Sequence, residues 1–284
     1  MPKRPIDIDL FRSVQRRLHI AKDRSSFPLI SGDTYAALCD FKFGPNYPLA
    51  SLNGRKKPFK LFLPAIFKED FLRELEENKN DFSKNTLVIH NYDNIPSRSE
   101  MATISKRFRR VFSVNWLGDR GIATPIPIGL ENWSILRNGV PGDFRKMIAK
   151  GLTPTSERSV KILSSFSIQT NIDERSKALE FARTNRDVLQ MPAFTSPAKY
   201  RDLVANSRFL LSPPGNGVDC HRTWEAIYLG AIPIVLEKFW PFQHLDLPVL
   251  IVNDWFEIPK VISSLGELPT KSIDELQSLF LTLD

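Results

Sequence analysis

Cysteine is scarce in this chain: of 284 residues only Cys39 and Cys220 are cysteines, and they lie far apart. That excludes a disulfide framework and any cysteine-rich metal motif, and it favours a reducing compartment. Long apolar runs are missing too. The longest uncharged stretch beside the best motif, residues 226–236, is too short to cross a bilayer and is interrupted by Gly230 and Pro233. The N-terminal MPKRPIDIDLFRS is charged and lacks the apolar centre of a signal peptide, so a soluble, cytoplasmic protein is expected. No Gly-Lys-Ser/Thr follows any glycine loop, and no G-x-G-x-x-G opens the first strand–helix unit. The chain is therefore neither a P-loop protein nor a dinucleotide-binding one by fingerprint. The one Asp-x-Asp, Asp7-Ile8-Asp9, precedes a helix at the N-terminus and is discounted, so no metal ligand set is expected.

What is present is ordinary for a folded protein, with 42% hydrophobic and 25% charged residues. The length suits one large or two medium domains. A net charge of +7 points to anionic partners without choosing among sugar nucleotides, nucleic acid and membrane surfaces. Residues 7–22 place Phe11, Val14, Leu18 and Ala21 at helical spacing with arginines elsewhere. Such a basic amphipathic helix can rest on a membrane surface, although docking on its own domain is the preferred reading.

From residue 59 onward strands and helices alternate. Strands are predicted at 59–63, 86–90, 111–114 and 126–128, with helices at 67–78 and 99–110. Residues 137–158, rich in glycine and mixed charge without periodicity, mark a domain boundary. This gives an N-terminal domain of residues 1–152 and a C-terminal domain of 153–284. Alternation then resumes, with strands at 160–167, 208–211, 232–236 and 248–252 and helices at 172–183, 200–205, 255–265 and 272–282. The pattern predicts parallel α/β structure in both halves.

The most informative stretch is 208–236, RFLLSPPGNGVDCHRTWEAIYLGAIPIVL. It reads strand, stiff glycine loop, helix, strand, the layout that sets backbone N–H groups and a helix N-terminus against a phosphate. Gly215 and Gly217 are expected to permit positive φ and close approach to a ligand. On the helix, His221, Arg222 and Glu225 share one arc, while Trp224, Ile227 and Tyr228 suit a core. Arg222 in the first turn opposes the helix dipole unless an anion is near. Glu225 is placed to accept hydrogen bonds from sugar hydroxyls; an Arg222–Glu225 pair on a solvated face is the plainer alternative. The segment 164–183, SSFSIQTNIDERSKALEFAR, repeats this logic: Thr170 or Asn171 caps a helix, Asp173 or Glu174 reaches back, and Arg175 lies in the first turn. Two cations at two helix starts can grip both phosphates of a diphosphate.

With these segments in view, the chain resembles the exostosin-type glycosyltransferases, particularly compact bacterial and viral members. SRFLLSPPGNGVDCHRTWEAIYLGAIPIV carries the resemblance, which extends to VKILSSFSIQTNIDER and, more loosely, to TLVIHNYDN, VFSVNWLG and PIPIGLENW. It implies a GT-B fold of two Rossmann-like domains facing across a cleft and an inverting transfer to an acceptor hydroxyl, without a required cofactor. The donor would be a UDP- or GDP-sugar, held by Arg175, Ser212, Gly215, Asn216, Asp219, His221, Arg222 and Glu225. The acceptor would be a glycan or another hydroxyl compound. At this length, trimmed loops and a small N-terminal lobe are expected.

Inverting transfer needs a base from across the cleft. Asp93, following a predicted strand end, is the candidate, with His90 and Glu131 as competitors and a plain turn role as the alternative for Asp93. Asn115 is the candidate for orienting the acceptor. The reading from another class is a nucleic-acid- or nucleotide-binding α/β protein without transferase activity, suggested by the basic stretches 54–60 and 106–110. The aromatic residues follow core periodicity and no nucleic-acid signature appears, so nucleic acid is not expected as a partner.

Overall fold

The structure, a computed structural model, describes residues 26–133, 140–192, 195–266 and 271–283. The predicted helix at 7–22 and Asp7-Ile8-Asp9 lie outside the described residues.

Two five-stranded, all-parallel sheets carry the chain. The first comprises β1 (Phe41–Lys42), β2 (Lys60–Pro64), β3 (Thr86–His90), β4 (Arg110–Ser113) and β5 (Thr124–Pro125). These strands lie side by side in chain order. Helix α1 (Gly32–Ala37) precedes them, and α2 (Lys68–Glu77) and α3 (Arg98–Ser105) connect β2 to β3 and β3 to β4. Steps in one direction with right-handed crossovers put the connecting helices on one face. Strand periodicity follows suit: Leu61, Leu63, Leu87, Ile89 and Val111 pack with Phe71, Leu75, Met101 and Ile104 of those helices. The alternate residues, Phe62, Val88 and Phe112, point the other way.

The second sheet comprises β6 (Val160–Ser164), β7 (Val188–Gln190), β8 (Ser207–Leu211), β9 (Ile232–Leu236) and β10 (Leu250–Val252), in the order β10-β9-β8-β6-β7. Helices α4 (Pro141–Ala149), α5 (Ile172–Thr184), α6 (Pro197–Ala205), α7 (His221–Tyr228), α8 (Ile258–Ser263) and α9 (Ile273–Phe280) accompany it. One sheet face carries Ile162, Phe209, Leu211, Ile234 and Leu236 against Ala178 and Phe181 of α5. The opposite face carries Leu163, Leu210 and Val235 against Val204 of α6 and Trp224 of α7.

One continuous cluster of buried side chains joins the two halves, running from Phe62 and Val88 of the first sheet through Tyr35 to Trp224 and Phe280. Its centre is aromatic. Trp224 stacks with Trp240 (centroids 6.3 Å apart) and meets Phe242 and Phe280 edge-on at 5.7 and 5.4 Å. Each such pair is worth about 0.5–1.5 kcal/mol beyond burial. Buried polar bonds cross the same boundary: the Tyr228 hydroxyl accepts the Ile30 N–H at 2.9 Å, and Tyr35 donates to the Phe280 carbonyl at 3.1 Å. Helix α7 is thereby fixed against both halves.

The sequence places most elements within a few residues, and its strand at 86–90 and 232–236 coincide with β3 and β9. Three expectations change. Residues 126–128 are not a strand; β5 is Thr124–Pro125, and the chain leaves the sheet after Ile126 donates to Ser113 O. The supposedly aperiodic segment after 137 contains α4, whose start has Pro141 at N1 and Asp143 bonded back to the Val140 N–H. The short β7 and α1 were not foreseen; β7 is an edge strand of three residues, below the length at which periodicity is readable. Among the described residues, no helix is long and apolar enough to cross a membrane.

Candidate functional site

The order of the second sheet decides where its chemistry gathers. Numbered from its own start it is 2-1-3-4-5, and the chain reverses direction between β6 and β8. Those neighbours pair in parallel up to Ser164 opposite Leu211. The loops that leave them, Ser165–Asn171 and Ser212–Cys220, therefore emerge side by side at the switch point where open α/β sheets bind ligands.

The two arginines tie these loops crosswise. Arg175, on α5, donates from Nε to Pro214 O of the other loop at 2.8 Å and from Nη1 to Ser167 O at 2.6 Å. Arg222, on α7, donates from Nε to Ser165 O at 2.7 Å, with a longer contact from Nη1 to Pro213 O at 3.5 Å. Both guanidinium groups lie over the ring of Phe166, at 6.0 and 5.6 Å from its centroid. Between them sits Cys220, whose Sγ is 4.0 Å from Arg175 Nη2. Arg175 is buried at 6% exposure, so its pKa is lowered first by burial and then by the Arg222 charge. Arg222 is half-buried, and its Nη2 has no hydrogen-bond acceptor among the described residues.

The N-terminus of α7 points into the same place. Its N-cap is Cys220, which makes no side-chain capping bond. The Thr223 N–H bonds back to Cys220 O at 3.0 Å, and the His221 and Arg222 N–H groups ahead of it stand beside a net positive dipole end. By contrast α5 is capped: Asn171 Oδ1 accepts the Glu174 N–H at 3.2 Å, and Asn171 Nδ2 donates to Gly215 O at 3.2 Å. Glu174 does not reach back to this cap as expected. Its carboxylate pairs with Lys238 at 2.7 Å and Lys177 at 3.2 Å, and these neighbours hold its pKa below the usual value against the opposing effect of burial.

The glycines of the loop act through space rather than backbone freedom, because neither Gly215 nor Gly217 has positive φ. A Cβ at Gly215 would come within 2.8 Å of Arg175 Nη2. A Cβ at Gly217 would come within 2.5 Å of both Asn115 side-chain heteroatoms and of Asp93 O. Gly215 thus admits the guanidinium, and Gly217 admits the first half of the chain.

The remaining candidates divide. Asp219 is buried at 4% and is held by Ile128 N–H at 2.8 Å and by Trp224 Nε1–H at 2.9 Å. Burial pushes its pKa up to about 6 against those donors. Glu225 is 1% exposed and accepts a short hydrogen bond from the Tyr200 hydroxyl, so its carboxylate lies in the core rather than on the ligand-facing arc. No Arg222–Glu225 ion pair forms across a solvated face. Ser212 is buried with its hydroxyl on Thr223 Oγ1 at 2.8 Å, and Asn216 is exposed at the loop tip. His221 donates from Nδ1 to Gly129 O at 2.8 Å, which sets the orientation of a half-buried ring and leaves Nε2 outside that bond.

Across the boundary, two asparagines at strand ends adopt the left-handed conformation, Asn91 (φ 60°) and Asn115 (φ 56°). That region is sparsely populated outside glycine, and asparagine tolerates it best. Asn115 is 1% exposed and fully engaged: its Nδ2 donates to Tyr92 O at 2.8 Å and its Oδ1 accepts Asp219 N–H at 3.0 Å. His90 is likewise 1% exposed, with Nε2 donating to Pro127 O at 3.1 Å and Nδ1 accepting Asn91 N–H at 2.7 Å. Burial lowers its pKa to about 4. With both nitrogens engaged, His90 has no free lone pair for an acceptor proton. Asp93 is exposed in the adjoining turn, and Glu131 is buried at 7%.

The structure therefore brings together Arg175, Arg222, Gly215, Cys220 and the α7 N-terminus, with Asp93, Asn115 and His221 on the boundary with the first half. It sets Glu225 and Ser212 inside the fold. Sequence reading missed Phe166, Cys220 and Tyr200. Phe166 alone left a signal, an aromatic at a strand end flanked by small polar residues. Among the described residues, no three His, Cys, Asp or Glu side chains gather to hold a metal. Residues 161–280, which run from β6 to α9 and contain both arginine loops, match the family described as the RXYLT1 C-terminal domain.

Proposed function

We propose that the chain is an inverting glycosyltransferase of GT-B organisation, taking a nucleotide-diphosphate sugar and delivering the sugar to a hydroxyl of a glycan or another acceptor. The observation that carries this reading is the crossed pair of arginines at the switch point, beside an uncapped helix start. A pyrophosphate is the ligand such a site suits. It has two adjacent anions, it accepts charge-assisted bonds from Arg222 Nη2 and from the α7 amides, and its charge grows as the sugar departs. Those donors are fixed before the reaction, and they supply positive charge to the leaving group without a cofactor. Arg175 braces the loops and contributes field rather than free donors, because its own N–H groups are largely spent on carbonyls.

The acceptor approaches from the first half, past the Asp93 turn. Asp93 is the proposed base, since its carboxylate is exposed while Asn115 and His90 are engaged in holding the boundary. The glycosyltransferase match supports the reaction class; donor base, sugar and acceptor are not specified by it.

The nucleic-acid reading finds less support. Within the basic cluster 106–110, Arg107 donates to Leu75 O, Asn78 O and Asn80 O, closing the C-terminal end of α2, and Phe108 is buried. Arg107 is thereby withdrawn from any phosphate stripe, which leaves Lys106, Arg109 and Arg110 on the exposed face.

Thermal-shift titration with UDP-, GDP-, CMP- and dTDP-sugars tests the proposal. A true donor at about 100 times its Kd should add about 2.7 kcal/mol of stability. Asp93→Asn should retain that shift and lose transfer. Transfer retained in Asp93→Asn would move the base to His221 Nε2, and no shift with any sugar nucleotide would refute the donor site.

A further inference from the structure

At the opposite end of the second sheet, beneath the N-terminal ends of β8 and β9, lies a cavity of about 750 Å³. It is remote from both arginine loops, which leave the C-terminal ends of the strands. The volume is that of a small-molecule site. Its walls are chiefly apolar, including Leu152, Ile227 and Ile232, but two arginines, Arg158 and Arg208, are among the residues that line it.

Neither has a carboxylate partner among the described residues. Arg158 is 7% exposed; its Nε donates to Thr153 O at 2.9 Å and its Nη1 to Ser207 O at 3.0 Å. Its Nη2 lies where a Cβ on Gly230 would come within 2.5 Å, and Gly230 has φ +72°, so this position is reserved for glycine twice over. Arg208, the residue after Ser207 on β8, is half-buried, and its Nε is buried with no hydrogen-bond partner among the described residues. The third cation on the wall, Lys271, is already compensated by Asp246 at 3.2 Å and Glu275 at 3.8 Å.

A guanidinium carries five donors and a permanent charge, and holding it out of water without a partner is costly. Two on one cavity wall, with no carboxylate paired to either among the described residues, leave a place for an external anion. The apolar remainder of the wall gives no partner to a purely polar ion, and it suits a hydrocarbon body behind the charged group.

We propose that this cavity binds an anionic amphiphile, a carboxylate or phosphate head on a short hydrocarbon chain, with Arg208 and Arg158 Nη2 holding the head. The site is separate from the donor site and does not depend on it.

Calorimetric titration of the full chain with octyl phosphate and with octanoate tests it, with 1-octanol and inorganic phosphate as the halves of the ligand. At least one amphiphile should bind, and each half should bind at least about tenfold more weakly, a difference of about 1.4 kcal/mol. The two heads distinguish a phosphate from a carboxylate ligand. Arg208→Gln removes no side-chain hydrogen bond to the described residues, so it should keep the wild-type melting temperature and lose at least about tenfold in affinity. Arg222→Ala should leave the binding unchanged. Absence of binding by both amphiphiles, or equal binding by Arg208→Gln, overturns the proposal. Inorganic phosphate binding as tightly as octyl phosphate overturns the amphiphile assignment.

Discussion

Asn115 and Asp219, 104 residues apart, are joined by the Asp219 N–H donating to Asn115 Oδ1 at 3.0 Å. The bond holds a left-handed asparagine just past the end of β4 against the residue before the N-cap of α7. Helix α7 carries Arg222, so the register of the boundary also sets the register of the proposed donor site.

Gly217→Ala tests that register. The new Cβ would lie 2.5 Å from Asn115 and from Asp93 O, closer than real contacts allow, and one neighbour is backbone. Overpacking of this kind costs about 1–3 kcal/mol. Urea melts should show the loss, and the increment caused by Gly217→Ala should be smaller in an Asn115→Gly background, where glycine keeps the left-handed φ and the clashing side chain is gone.

Arg222 and Arg175 should separate in behaviour. Arg222→Ala is expected to weaken sugar-nucleotide binding by about 1.5–3 kcal/mol, the worth of a charge-assisted bond, with a smaller effect on folding. Arg175→Ala should weaken binding and also destabilise, because the buried Pro214 carbonyl loses its donor and the bond to the Ser167 carbonyl is lost as well. Calorimetry beside thermal melts resolves the two. Unchanged affinity in both variants removes the basis for the diphosphate site.

His90 and Asp219 should give opposed pH dependences of stability. The folded-state pKa of His90 is lowered to about 4, so its contribution is whole above about pH 6.5 and is lost as pH falls towards 4. The folded-state pKa of Asp219 is raised to about 6, so its contribution is whole below about pH 4 and is lost as pH rises towards 6. Each is worth about 3 kcal/mol across its window. Denaturant melts from pH 4 to 7 should therefore show His90→Gln losing stability more steeply than wild type as pH rises, and Asp219→Asn losing it more steeply as pH falls. Parallel curves for the three proteins would contradict the assigned shifts.

Cys220 offers a direct probe of occupancy. Burial raises its thiol pKa against the pull of Arg222 and Arg175, so alkylation by iodoacetamide at neutral pH should be slow. Binding of a donor nucleotide over the two arginines should slow it further, read by mass spectrometry at Cys220. Equal rates with and without a shifting nucleotide would place that ligand elsewhere.

Much of this protein is legible in the order of its residues. Period-two apolar runs and intervening amphipathic segments mark β2, β3, β8 and β9 with their helices, because burial of one face is a local requirement. The Arg175 and Arg222 placements at helix starts are equally local, and they pointed to the loops that the fold brings together. Elements too short for a period, β7 and α1, left no such mark.

The roles of individual polar residues were decided by tertiary structure alone. Glu225 shares a helical arc with Arg222, yet it is buried on Tyr200 because α6 packs there. His90 and Asn115 sit at strand ends where sites gather, yet their polar atoms are engaged by Pro127, Asn91, Tyr92 and Asp219. A hydrogen-bonding side chain is available to a ligand only when no nearer partner satisfies it. That partner is usually remote in sequence, so the chain by itself determined which residues could do chemistry, and the packing of its two sheets decided which remain free to do it.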